Sequence, residues 1–253
     1  MGSNLQIGKA TATLGFILSA VAVTAAMGAG EGVRIAFWDF RYGFRILRWA
    51  AYIGIAGTVL SSVGAILARP GKGRRGFLLA IAGIVLGTAA FGVPGNWYRI
   101  AKKVPMIHDI TTDTENPPEF VSVLALRKDA PNSTTYGGPE IAALQHAAYP
   151  DIRPLVTDIP PAQAYERARS AARQMGWNIV DENPPEGRIE ATATTRWFGF
   201  KDDIVIRILP TDGNGSRVDI RSVSRVGQSD LGTNARRIRA FLRKFSEASK
   251  AAG

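Results

Sequence analysis

Hydrophobic and polar positions divide the chain into two differently patterned halves. In the first, three long runs carry no Asp, Glu, Lys or Arg at all: Ala10 to Gly30, Trp49 to Ala68 and Phe77 to Tyr98. Each is about the 20 residues a helix needs to cross a hydrocarbon core. A charge-free run of that length in water would have to be buried on every side. Three transmembrane helices are therefore expected at about 10–30, 49–68 and 77–98, within a membrane region spanning 1–103. The first run is longer than the roughly 7–15 residues of a signal-peptide core, so it is read as staying in the membrane rather than being cleaved near Ala26 to Gly28.

From 104 to 253 the periodicity is that of a folded α+β domain. Pro160-Pro161 opens a helix, since Pro suits the first turn. Ala164, Tyr165, Ala168, Ala171, Ala172 and Met175 recur at helical spacing up to Gly176, a natural stop. Four strands follow: Trp177 to Val180, Arg188 to Arg196, Asp203 to Leu209 and Arg217 to Val226. Leu231, Ala235, Ile238, Phe241, Leu242 and Phe245 mark a last amphipathic helix. Phe120 to Leu126 alternates β-formers and is expected to be a first strand. Lys102 to Pro118 reads as a linker, and Lys128 to Asp158 as irregular structure. The expected fold is an antiparallel sheet covered on one face by two helices.

Charge changes the picture of partners. The chain carries a formal net charge of +10. Residues 1–103 contain twelve Lys and Arg against two acids, Glu31 and Asp39, whereas the remainder is balanced. The whole excess flanks the apolar runs, where basic side chains meet lipid headgroups. Nucleic acid is not expected as a partner; membrane lipids are. Arg34, Arg41, Arg45 and Arg48, interleaved with Phe37, Trp38, Phe40, Tyr42 and Phe44, suggest an interfacial amphipathic helix over Glu31 to Arg48. Arg69 to Arg75 is a tight basic turn of cytoplasmic type. It is no phosphate-binding loop, because the flanking glycine spacing and the Ser or Thr after Lys are missing. Gly83 and Gly87 have the spacing that lets membrane helices approach closely.

Candidate chemistry collects between Phe200 and Arg237. A hairpin pairing Ile208 with Val218 also pairs Ile206 with Ile220, Ile204 with Ser222 and Asp202 with Ser224. On the opposite side Arg207 faces Asp219, and Asp203 comes near Arg221 and Arg225. Ser229 or Asp230 caps the last helix. Arg221, Ser222, Ser224, Arg225, Ser229 and Arg237, with that helix N-terminus, have the chemistry of a phosphate or carboxylate site. The rival reading is an internal ion-pair network in which Asp202, Asp203 and Asp230 neutralise the same arginines. No metal, cofactor or catalytic constellation is expected. His108, Asp109, Asp113 and Glu115 lack a second His at ligand spacing, and His146 is a lone loop histidine. Asp202 and Asp203 point to opposite faces of a strand and cannot act as a carboxylate pair. Trp197-Phe-Gly-Phe200 reads as a core plug, or else as a lip toward membrane or ligand.

Phe200-Lys-Asp-Asp, Arg221-Ser-x-Ser-Arg-x-Gly-x-x-Asp-x-Gly-x-Asn and Arg237-Ile resemble the domain of unknown function 1499 family. Ile107-His-Asp-Ile-Thr-Thr-Asp, Asn116-Pro-Pro and Arg188-Ile-Glu-Ala-Thr are similar to its alphaproteobacterial members. The resemblance runs from about Pro105 to Phe245 and adds Asn234 to the candidate site. A cysteine motif that many members carry near the domain start is absent. The resemblance implies an envelope or lumenal domain, often membrane-attached, with no established activity; the Arg/Ser cluster makes an anionic small molecule or an envelope protein the expected partner. The three runs make the chain a multi-pass protein, expected in the bacterial inner membrane, and the resemblance points to a periplasmic side for the domain. Counting basic residues alone points weakly the other way, with five on the side of the 69–75 turn and seven on the other.

Overall fold

The computed structural model describes residues 2–68 and 74–250. It divides into two compact units, Met1–Ile100 with Arg196–Gly199, and Ala101–Thr195 with Phe200–Gly253.

The first unit is built from α1 (Gly2–Arg34), α2 (Phe40–Ala68) and α3 (Arg74–Ala101). All three are long and apolar enough to cross a membrane. Small residues set their packing. A Cβ at Gly64 would come within 2.6 Å of the Ala12 backbone nitrogen, and one at Gly54 within 3.0 Å of the Gly87 carbonyl. Gly83 lies against Phe16 and the Ser61 hydroxyl, and a Cβ at Gly87 would come within 2.7 Å of the Gly54 carbonyl. Without a hydrophobic force between helices in lipid, such backbone approach supplies the van der Waals contact that holds them. The expected close approach at Gly83 and Gly87 is present.

The separate interfacial helix expected over Glu31 to Arg48 is not. Residues 31–34 finish α1, and 40–48 begin α2. Backbone bonds from Ile35 to Glu31 and from Phe37 to Gly32 close the turn between them, and Asp39 caps α2. Of the 69–75 basic turn, Arg69 to Gly73 lie outside the described residues. Residues 196–199 group with this unit: the Trp97 and Trp197 rings are 5.0 Å apart, the Phe44 and Phe198 rings 5.2 Å. Arg34 donates to the Arg196 carbonyl at 2.6 Å.

The second unit is an α+β domain. Its elements are β1 (Asp109–Thr111), a 3-10 helix (Ser122–Arg127), α4 (Gly138–Ala148), β2 (Leu155–Thr157) and α5 (Pro161–Gln174), followed by β3 (Asn178–Asn183), β4 (Arg188–Thr194), β5 (Lys201–Pro210), β6 (Ser216–Ser224) and α6 (Thr233–Lys250). The sheet is antiparallel in the order β1-β6-β5-β4-β3, and β2 also pairs with β6. The expected hairpin register is present, with Ile208 opposite Val218 and Asp202 opposite Ser224. One face buries Ile189, Ala191, Ile204, Ile206, Val218 and Ile220 against Ala164, Ala168 and Ala172 of α5 and Ile238, Phe241 and Phe245 of α6. Each large aliphatic so buried contributes roughly 1.5–3 kcal/mol.

Four expectations need correction. Phe120 to Leu126 is not a strand. Ser122–Arg127 is a 3-10 helix that buries Val123 and Arg127, and Phe120, just before it, packs into the same small cluster as Val123. The stretch 128–158 holds α4, opened by Pro139 in its first turn, and β2. The linker contributes β1, and the sheet is covered on both faces, the second by the segment 112–137.

Candidate functional site

Strand alternation explains the second face. Residues 205 and 223 join Phe120 and Val123 in a small apolar cluster, but most positions facing that way are charged. Asp203, at the centre, is fully buried. It accepts from Arg127 at 2.5 Å, from Thr192 at 2.6 Å and from Arg225 twice at 2.8 Å. Burial pushes its carboxyl up. The bonds from Arg225, Thr192 and Arg127 and the Arg225 charge outweigh that and hold it below the usual carboxylate range.

Arg221 grips Asp109 with two bonds of 3.0 and 2.7 Å. Its remaining donors reach the carbonyls of Pro118 and Thr134. The rings of Phe120 and Tyr136 lie 5.3 and 5.5 Å from its guanidinium carbon, within cation–π range. Burial and the Asp109 charge push the Tyr136 hydroxyl up to about 12, against the opposing Arg221 charge. Further along, Arg207 and Arg217 share Asp113 and Asp219.

These side chains hold a single stretch of chain. Glu190, fully buried, accepts from the backbone N–H groups of Val121, Ser122 and Val123 at 2.9, 3.2 and 2.8 Å, capping the 3-10 helix, and pairs with Arg188. Arg207 donates to the Asn116 carbonyl, and Arg225 to that of Leu126. Asn132 ties the loop to the carbonyls of Ser224 and Gly227. The segment 112–137 is thus docked on the sheet mainly by polar bonds.

The other half of the expected cluster lies on the opposite face, at the start of α6. Arg237 donates to Asp202 at 2.5 Å and to Ser222 at 3.1 Å. Asn234 accepts from Ser222 and Arg237, and donates to Ser224 and to the His108 carbonyl. Asp230 caps α6, accepting from the N–H groups of Gly232 at 2.8 Å and Asn234 at 2.6 Å. Burial raises its carboxyl above the usual range, while those capping bonds pull the other way. Ser229 accepts from Leu231 and contacts the Pro105 carbonyl.

The residues singled out in sequence therefore do not converge. Arg221 and Arg225 face the 112–137 segment, whereas Ser222 and Ser224 face α6, which carries Asn234 and Arg237. Each of the three arginines already holds a carboxylate. Asp109, Asp113, Arg127, Asn132 and Glu190 complete the arrangement but were absent from the expected site. Asp109 and Asp113 lay in an apparent linker, and the one available signal was an excess of acids there matching the excess of arginines in β6. A cavity of about 450 Å³ opens beside His108 and Asp109, bounded by Asn132, Ser133, Thr135 and Gln228. Its carboxylate is the one already held by Arg221. His146 is paired with the Thr114 hydroxyl at 2.9 Å.

Fold and site together define a membrane protein: three apolar helices followed by an α+β domain with an ion-paired sheet face. The family model described as "Protein of unknown function (DUF1499)" matches residues 109–245, and the chain belongs to that family. No curated protein matches the chain.

Proposed function

We propose that the chain is a membrane-anchored assembly module of the bacterial cell envelope, and that its Arg/Ser motif is scaffold rather than a ligand site. The observation that carries this is the pairing of Arg221, Arg225 and Arg237 with Asp109, Asp203 and Asp202. A buried ion pair offers an incoming anion nothing unless the pair is first broken, at a cost of several kcal/mol. The polar layer has a mechanical use instead. It fixes the 3-10 helix so that Val121, Leu124 and Leu126 stand exposed, an apolar group suited to another envelope protein.

The test is thermal unfolding of the detergent-solubilised chain with and without inorganic phosphate. The scaffold reading expects no phosphate-dependent shift in the wild type and a large drop in melting temperature for Arg225→Gln. Phosphate stabilisation that Arg225→Gln abolishes, with the melting temperature otherwise unchanged, would overturn it in favour of an anion site. The domain is proposed to lie on the outer side of the inner membrane. Support comes from the envelope character that the family resemblance implies and from an odd number of spans following a cytoplasmic 69–75 turn. C-terminal alkaline phosphatase and GFP fusions test this: active phosphatase with dark GFP is expected, and bright GFP with inactive phosphatase refutes it.

A further inference from the structure

Arg41, Arg45 and Arg48 lie at i, i+4 and i+7 on α2, within one narrow stripe of a 3.6-residue helix, and Tyr52 continues it. The buried face of α2 is formed by Gly43, Leu47, Ala50, Gly54 and Gly57. At 100° per residue that face is centred roughly opposite the arginines. The stripe therefore points away from α1 and α3, toward lipid. All three arginines are exposed, as are Tyr42, Phe44, Trp49 and Tyr52 beside them.

Depth follows from the sequence. The charge-free run Trp49 to Ala68 is about the 20 residues, or roughly 30 Å, of a hydrocarbon core. Arg48 then sits at the edge of that core, and Arg41, seven residues earlier, about 10 Å further out. The three guanidiniums are distributed through the headgroup layer of one leaflet. Among the described residues none of them has a carboxylate within salt-bridge distance. Arg41 and Arg45 instead lie over the rings of Phe40 and Tyr42, at 5.2 and 5.1 Å. The nearest acid in sequence, Asp39, accepts from the backbone N–H of Arg41 at 2.8 Å, and Glu31 belongs to α1. This contrasts with the second unit, where the sheet-face and α6 arginines described above are paired. Guanidinium matches phosphate oxygens bidentately, and cations at the membrane surface are drawn to anionic headgroups.

We propose that the Arg41–Arg45–Arg48 stripe binds the phosphate-bearing headgroup of an anionic phospholipid, with Tyr42, Trp49 and Tyr52 flanking its glycerol region. The zwitterionic lipids, whose headgroups carry no net charge, are discriminated against. The site is independent of what the α+β domain does.

The test uses the full chain in nanodiscs of phosphatidylcholine with a minor share of phosphatidylglycerol, and measures by lipid mass spectrometry which lipid stays with the protein after transfer to detergent. The wild type is expected to enrich phosphatidylglycerol. At about 1 kcal/mol per surface cation, each Arg→Gln change lowers that enrichment about fivefold. The R41Q/R45Q/R48Q variant is expected to reach the bulk ratio, and R41K/R45K/R48K to keep an intermediate preference. Wild-type protein carrying the two lipids at the bulk ratio overturns the proposal without any variant being needed. A triple Gln variant with normal helical circular dichroism and undiminished enrichment overturns it as well. Should the triple variant fail to fold, the single R45Q carries the test, with its fivefold loss expected and no loss refuting.

Discussion

Asp203→Asn removes one charge from the centre of the sheet's polar face while preserving shape. The structure sets the size of the effect. Arg127 and Arg225 both converge on this carboxylate, and the Arg127 side chain is as buried as that of Asp203. The amide keeps one acceptor but turns an NH₂ toward donors that were bonded to the second oxygen. It also leaves two guanidiniums without their shared counter-charge. Removing one partner of a buried pair costs about 3–5 kcal/mol. For a domain of this size that is roughly 10 °C or more in melting temperature. The assay is thermal unfolding of the full chain in detergent, read by near-ultraviolet circular dichroism, since Trp177 stacks on Phe241 in the domain core. The folded-state carboxyl is depressed, so its contribution is present above the unfolded value of about 3.9 and is lost as pH falls through the folded value. The gap between wild type and Asp203→Asn should therefore be full at pH 7 and close below about pH 4. Adding Arg225→Gln to Asp203→Asn should cost less than the two changes summed, because one of the two uncompensated charges goes. A variant within about 1 kcal/mol of wild type at pH 7, or a gap that ignores pH, would refute the ion-paired account.

Glu190→Gln should release the 3-10 helix, because an amide cannot accept from Val121, Ser122 and Val123 together while facing Arg188; hydrogen exchange at 121–123 should rise well before the domain melts. Asp230→Ala should cost about 1 kcal/mol through loss of the α6 cap, with Asp230→Asn costing less, as read by the melting midpoint. The pH sign at Asp230 is the reverse of that at Asp203. Its raised carboxyl contributes stability below the unfolded value that is lost as pH rises through the folded one. Arg221→Lys keeps the charge but forfeits the two-point grip on Asp109 and the bonds to the Pro118 and Thr134 carbonyls. It should lower stability by about 1–3 kcal/mol, and a variant as stable as wild type would count against a positioning role for the arginine.

Long-period features were legible in the sequence. Charge-free runs fix the helices at α1, α2 and α3, and the β5–β6 register follows from period-two alternation, which joins Ile206 and Ile208 to Ile220 and Val218, together with the opposite charges it sets across from each other, as at Arg207 and Asp219. What failed was short or polar structure. β1 is three residues long, and its partner, β6, is more than a hundred residues away in sequence. The 3-10 helix is held by a carboxylate on β4, a non-local cause that β-forming composition at 120–126 conceals. The second face of the sheet was misjudged for the same reason. Its cover is recruited by hydrogen bonds rather than by an apolar stripe, and hydrophobic periodicity is blind to that kind of docking.

The same alternation accounts for the motif itself. Along β6, Arg221, Val223 and Arg225 face one way, and Ser222 and Ser224 the other. In Arg-Ser-x-Ser-Arg the arginines must span from the sheet to a separate stretch of chain, so they are long, forked and charged. The serines meet the first turns of a helix packed directly on the strand, so they are short. Arg221 reaches Asp109, Pro118 and Thr134, three points scattered along the 109–137 stretch, whereas Ser222 and Ser224 reach only the start of α6, where Ser222 meets Asn234 and Arg237 and Ser224 meets Asn234. Side-chain length on each face thus matches the distance to the layer it holds. A strand that carries these two kinds of residue in strict alternation joins the three layers of the domain through one short stretch of sequence.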